Sequence, residues 1–180
     1  MKVRHPRGPL LALISSLALA LPAGAGAAQS DEAIANALVK EIEQHRAQLW
    51  HRQRVMGARP TKTAFVERRA GSIEMLRQLR DTWRSRAGQA RKRLVRPPHR
   101  AAWLCIHRHE GSWKDPNAPY YGGLQMDITF QRTYGRYLLR KKGTANRWTP
   151  AEQMWTAEKA LRAGRGFHPW PNTARRCGLL

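Results

Sequence analysis

Acidic residues are scarce in this 180-residue chain: 12 Asp+Glu stand against 33 Lys+Arg, a formal net charge of +21. Partners should therefore be polyanionic, because a basic surface attracts nucleic acid, anionic membrane or acidic wall polymer with little discrimination. Cysteine is nearly absent too. Only Cys105 and Cys177 occur, with 71 residues between them. With no Cys-x-x-Cys, and with His107 and His109 two apart and so on different faces of a helix, a zinc site is disfavoured. The chain also lacks a Gly-rich phosphate loop, a His-Glu-x-x-His and a Gly-x-Ser-x-Gly, so neither metal nor organic cofactor is expected. What is present is globular: 42% hydrophobic and 25% charged residues argue against wholesale disorder, and the length suits one ordinary domain with an accessory segment.

The first 28 residues read as a signal peptide. Lys2, Arg4 and Arg7 form a basic start, residues 10–21 an apolar run, and Ala25-Gly26-Ala27 a small-residue cleavage site. The run is too short to span a bilayer comfortably and no second long apolar run follows, so no stable membrane anchor is expected after cleavage. An uncleaved anchor is the alternative. Export makes intracellular nucleic acid a poor target and moves the expected polyanion outside the membrane. In an oxidising compartment the two cysteines would form one disulfide, worth on the order of 4 kcal/mol in the chain-entropy model; in a reducing one they would stay free thiols.

Aromatic residues are few before residue 103, and 11 of the 14 lie from Trp103 onward. The packed domain is therefore C-terminal, over 101–180. Before it, residues 31–56 carry Ile34, Leu38, Ile42 and Leu49 at helical spacing, residues 57–60 break the pattern, and a second helix is expected from about Phe65 through Val66, Ile73, Leu76, Leu79 and Trp83. The region 29–96 thus reads as a helical hairpin, serving as a structural arm, a partner-binding coiled coil or a spacer. Residues 84–100 hold seven Lys or Arg and no acid, either a tether to anionic groups or a solvated basic face. Pro97 and Pro98 should stop the helix and make a stiff linker over 97–100.

The C-terminal part holds five carboxylates: Glu110, Asp115, Asp127, Glu152 and Glu158. Residues 101–109 read as a helix with Trp103, Ile106, His107 and Glu110 on one face. With Gly111 ending that helix, Glu110 sits at its C-terminus, where the macrodipole disfavours a negative charge. A general acid needs such a place; an ordinary helix-end glutamate is the alternative. In Tyr120-Tyr121-Gly122-Gly123-Leu124-Gln125-Met126-Asp127 the double glycine suggests backbone close to something flat, as in a groove for sugar rings, or a plain hairpin turn. Alternation puts Gln125 and Asp127 on one side of an extended segment, in a cleft or facing solvent. A helix is expected over 129–139, and another from Thr149-Pro150 through Leu161 with Trp155 and Leu161 in the core and Glu152 and Glu158 on the surface. The fold class is mainly α, with at most a short hairpin.

Trp103, Glu110-Gly111-Ser112, Trp113, Tyr120-Tyr121-Gly122-Gly123-Leu124-Gln125 and Trp170-Pro171 with Cys177 resemble the catalytic domain of the resuscitation-promoting factors, over about 101–180. That family is transglycosylase-like, has a small lysozyme-like fold and cleaves the glycan strands of peptidoglycan. The resemblance implies Glu110 as the catalytic acid and Gln125 and Asp127 as polar residues near the sugar. Thr129 matches a family threonine if one residue is deleted before it. Trp113 and Tyr121 become cleft aromatics, with a core role for Trp113 as the alternative. The family usually places a cysteine directly before its glutamate; here His109 stands there and Cys105 lies one helical turn earlier. A retaining hydrolase needs a second carboxylate, for which Asp127 is the candidate, whereas a lytic transglycosylase manages with one. Peptidoglycan, with other anionic wall polymers as further candidates, is the implied partner of a secreted or wall-associated protein. The competing readings are a non-catalytic wall-binding protein and a secreted binder of single-stranded nucleic acid, whose mark would be a steep salt dependence.

Overall fold

The computed structural model describes residues 23–180, with side chains from Ser30 onward. Residues 1–22 of the expected signal peptide lie outside the described residues, and its expected cleavage site falls at the start of the first helix. Helix α1 spans Ala23–Val55 and α2 spans Ile73–Leu94. Leu38, Ile42, Leu49 and Val55 of α1 face Leu76, Trp83, Ala87 and Ala90 of α2, all buried. Each large apolar side chain buried in this seam stabilises the pair by roughly 1.5–3 kcal/mol, and this packing is the main support of the two long helices. Ile34 is 40% exposed. Gly57, at φ 74°, takes the left-handed conformation that ends α1.

The second helix starts later than its apolar pattern suggests. Phe65 and Val66 are 60% and 63% exposed, the latter in a separate 3-10 turn over Val66–Arg69. The true start is at Ser72, whose Oγ accepts the Met75 amide at 3.2 Å as an N-cap. Beyond α2, Pro97 and Pro98 separate it from α3, Arg100–Glu110.

A two-stranded antiparallel ribbon follows: β1, Tyr120–Tyr121, and β2, Met126–Asp127, with Tyr120 opposite Asp127 and Tyr121 opposite Met126. Next come α4, Ile128–Tyr134, and α5, Arg136–Lys142, where one helix over 129–139 was expected. The break is at Gly135, against which the Trp148 ring packs so closely that a Cβ would strike it. Helix α6, Pro150–Ala160, opens on a capping box between Thr149 and Glu152 and passes into a π-turn over Leu161–Arg165. Helix α7, Pro171–Arg176, is the last of the described helices, with Cys177 as its C-cap. The described residues are therefore mostly helical with one very small sheet. No helix among them is long and apolar enough to cross a membrane.

One apolar core runs without interruption from Leu38 and Trp83 in the hairpin to Trp103, Trp148 and Trp170 in the C-terminal part. Polar contacts cross the same boundary. Trp155 Nε1 donates to the Leu94 carbonyl at 2.7 Å, and Arg162 to the Met56 carbonyl at 2.9 Å. His51 of α1 meets the Tyr137 hydroxyl at 2.8 Å and the Glu152 carboxylate at 3.5 Å.

Glu152 and Glu158, expected on the surface, are buried at 2% and 1% exposure. Lys142 Nζ lies 2.7 Å from both oxygens of Glu152, and the Thr149 amide donates at 2.8 Å. Burial alone would push this carboxyl up. The bonds from His51, Lys142 and Thr149, with the Lys142 charge, outweigh it and hold the group down at about 2. Glu158 accepts from the His99 amide and from Trp103 Nε1, both at 2.8 Å, and so pins the start of α3. Trp155 is buried as expected, while Leu161 is half-buried.

Candidate functional site

Helix α3 is held at both ends, which fixes where Glu110 emerges. Its start is anchored by Glu158, and its buried Trp103 and Ile106 set its rotation about the core. At the far end Gly111, with φ 143°, turns the chain away and leaves Glu110 half-buried on the wall of a cleft of about 290 Å³. Tyr120, Gln125, Pro169, Trp170, Pro171 and Asn172 complete its lining.

The opposite wall belongs to α7. Trp170 packs on Trp103 and Phe130 at centroid distances of 5.2 and 5.5 Å, and its Nε1 donates to the Leu124 carbonyl at 2.6 Å. From that platform Thr173 reaches back, and its hydroxyl donates to Glu110 Oε1 at 2.7 Å. The Cys105–Cys177 disulfide, with Cα atoms 6.0 Å apart, joins α3 to the end of α7. Both sulfurs lie near a nitrogen of His109, but the bond between them leaves no thiolate to ligate a metal.

Gln125 is the structural oddity of the cleft. Its φ of 45° is in the left-handed region that non-glycine residues seldom adopt, at a cost of order 1 kcal/mol. Its Nε2 donates to Asp115 Oδ2 at 2.8 Å and to the Gly122 carbonyl at 3.0 Å, which turns the amide oxygen away from both. Asp115 also accepts the Asn117 amide at 3.1 Å. The Asn117 backbone N–H and then the Gln125 amide hold its carboxyl below the ordinary range. Asp115 is thus the carboxylate tied to the cleft lining.

The other residues expected at the site have different surroundings. Asp127 is the N-cap of α4, its Oδ1 accepting the Phe130 amide at 2.6 Å. It faces Tyr120 across the ribbon and does not line the cleft. Thr129 is exposed in the first turn of α4, also off the cleft. Trp113 stacks on His107 at 3.9 Å with planes 23° apart, which is the packing alternative for this residue. Tyr121 is half-buried beside the core, and its neighbour Tyr120, 50% exposed, is the tyrosine of the cleft.

Backbone does approach a flat group at the double glycine, but the group belongs to the chain itself. A Cβ on Gly123 would stand 2.5 Å from His107 Nδ1 and 2.7 Å from the Trp113 ring, and one on Gly122 would stand 2.6 Å from Gln153 Oε1. Gln153, fully buried, accepts the Gly123 amide at 2.9 Å and donates to the carbonyls of Trp113 and Ala145 at 2.9 Å. It fixes the turn that carries Gln125, and no local pattern marks it out from other α6 residues. For Thr173 the Trp170-Pro171 pair signals a helix start, yet nothing local announces a partner 63 positions away.

No protein-family model, curated protein or solved structure matches the chain.

Proposed function

We propose that this protein is a secreted, peptidoglycan-cleaving enzyme with a lysozyme-like domain related to the resuscitation-promoting factors, and that Glu110 is its general acid. The observation that carries the reading is one carboxyl on the wall of an open cleft, with one of its oxygens already bonded. Thr173 donates to Oε1, so the proton of the neutral carboxyl belongs on Oε2, free to reach a glycosidic oxygen. Tyr120, half exposed on the cleft wall, offers apolar surface for a sugar ring, and Gln125 and Asn172 offer amides for its hydroxyls and N-acetyl groups.

Glu110 is the one carboxylate among the cleft-lining residues, and Asp127 is engaged as a helix cap. This favours the lytic transglycosylase route. Glu110 protonates the leaving oxygen, and the bond from the anomeric carbon breaks as positive charge develops on the ring. The sugar's own 6-hydroxyl then closes on that carbon and gives its proton to the Glu110 carboxylate. The product is a 1,6-anhydro sugar and the acid is restored, with no metal or cofactor required. The basic surface would concentrate the enzyme on an anionic wall.

Mass spectrometry of soluble products from purified peptidoglycan, with the mature protein and with Glu110→Gln, tests this. Anhydro-muropeptides from the wild type alone support it. Products with reducing ends would make the enzyme a hydrolase. If both proteins bind the wall and neither releases product, a non-catalytic wall-binding role replaces it.

A further inference from the structure

A second cavity, of about 390 Å³, lies where the hairpin meets α6, remote in sequence from Glu110. Its apolar surface comes from Leu49, Met56, Ala90 and Trp155, and three arginines, Arg86, Arg93 and Arg162, share its wall. Their charges are compensated unequally. Arg86 has a carboxylate partner, Glu67, at 3.5 Å. Arg162 is bonded to neutral oxygens alone, the carbonyls of Met56 at 2.9 Å and Glu158 at 3.4 Å. The Arg93 side chain makes no hydrogen bond or ion pair among the described residues.

A further cation stands behind the wall. Gly57 is so close to both Arg162 and Lys159 that a Cβ there would be 3.2 Å from Arg162 Nη2 and 3.5 Å from Lys159 Cγ. Burial first, and the neighbouring Arg162 charge second, hold the Lys159 ammonium down to about 8. The region is therefore one of excess positive charge beside an apolar face, with Arg93 and Arg162 exposed at its mouth and Lys159 half-buried behind them. The buried Glu158 carboxylate faces His99 and Trp103 and makes no ion pair with these cations. Of the polar residues beside the apolar face, Gln53 and Thr61 satisfy each other, since Gln53 bonds Thr61 at both ends of its amide. Guanidinium groups without a carboxylate partner, next to a tryptophan wall, suit an acidic group carried on an apolar body.

We propose that this cavity binds a small soluble anionic amphiphile, its phosphate or carboxylate head on Arg93 and Arg162 and its apolar body against Trp155, Leu49, Met56 and Ala90. The volume is at the lower end of small-molecule sites, which fits a single short chain or ring.

Titration calorimetry of the full mature chain with octyl phosphate below its micelle concentration tests the site. Inorganic phosphate, octyl glucoside and phosphatidylglycerol vesicles serve as comparison ligands. We expect one octyl phosphate per chain, with inorganic phosphate and octyl glucoside each binding at least tenfold more weakly. Arg93→Gln and Arg162→Gln should each reduce affinity about tenfold, and the exposed Arg140→Gln, with the same charge change, less than twofold. Because Arg93 has no bond to lose, its variant keeps the test valid if Arg162→Gln fails to fold. Three results would overturn the proposal: equal weakening by Arg140→Gln, equal affinity for inorganic phosphate, or Arg93-dependent binding seen with vesicles alone, which would assign the charge to a membrane headgroup.

Discussion

Thr173 and Glu110 face each other across the cleft with 2.7 Å between hydroxyl and carboxyl oxygen, and the two helices that carry them are joined by the Cys105–Cys177 disulfide. A contact made by short side chains on separate helices depends on the helices keeping their spacing. Loss of the Thr173 hydroxyl in Thr173→Val should therefore lower glycan cleavage about tenfold while wall binding persists. Glu110→Gln should lower it by about 10²–10⁴-fold, the usual contribution of a positioned acid. Release of soluble muropeptides per unit time measures both.

Reduction of the disulfide, or Cys105→Ser with Cys177→Ser, opens a loop of 72 positions. The expected loss is about 4 kcal/mol, within the range seen for native bridges. Urea denaturation of oxidised and reduced protein measures it. Activity should fall further than stability alone explains at temperatures where the reduced protein is still folded, because α7 carries Thr173.

Glu152 makes stability depend on acid. Its folded value of about 2 is below its ordinary 4.5, so its contribution is fully present above pH 4.5 and is lost as the pH falls toward 2. Glu152→Gln should remove that dependence. At neutral pH the same change should cost about 3 kcal/mol, since Lys142 loses the charge it was paired with in a buried site. Chemical denaturation at a series of pH values compares the two proteins.

Gly123→Ala places a methyl group against His107 and the Trp113 ring. Overpacking of this kind costs about 1–3 kcal/mol. The near-ultraviolet circular dichroism of the stacked indole should change along with the melting temperature, and the effect should exceed that of Gly88→Ala, where nothing lies within 4 Å.

Periodicity marked most of the helices, and where it misled, the reason is specific. Phe65 and Val66 fit the apolar rhythm leading into α2, but Ser72 supplies a cap and the chain before it turns outward. Thr149-Pro150 was legible as the start of α6 because a capping signal is local. The burial of Glu152 was not, since its partners are ten residues away in Lys142 and a hundred away in His51. The same distinction explains the site. Glu110 at a helix end could be read from one turn of sequence. Asp127 reads as available in the sequence, but its side chain caps α4, and Thr173, Gln153 and Asp115 acquire their roles through partners brought together by the fold.

The unbroken core across Pro97 and Pro98 has a bearing on how such a protein could be cut or recombined. Residues 101–180 expressed alone would present Trp155 to water, leave Glu152 without His51 and lose the carbonyls that hold Trp155 and Arg162. The hairpin thus behaves less as an appendage than as the back of the cleft-bearing part. A chimera that borrows the cleft must bring both long helices with it.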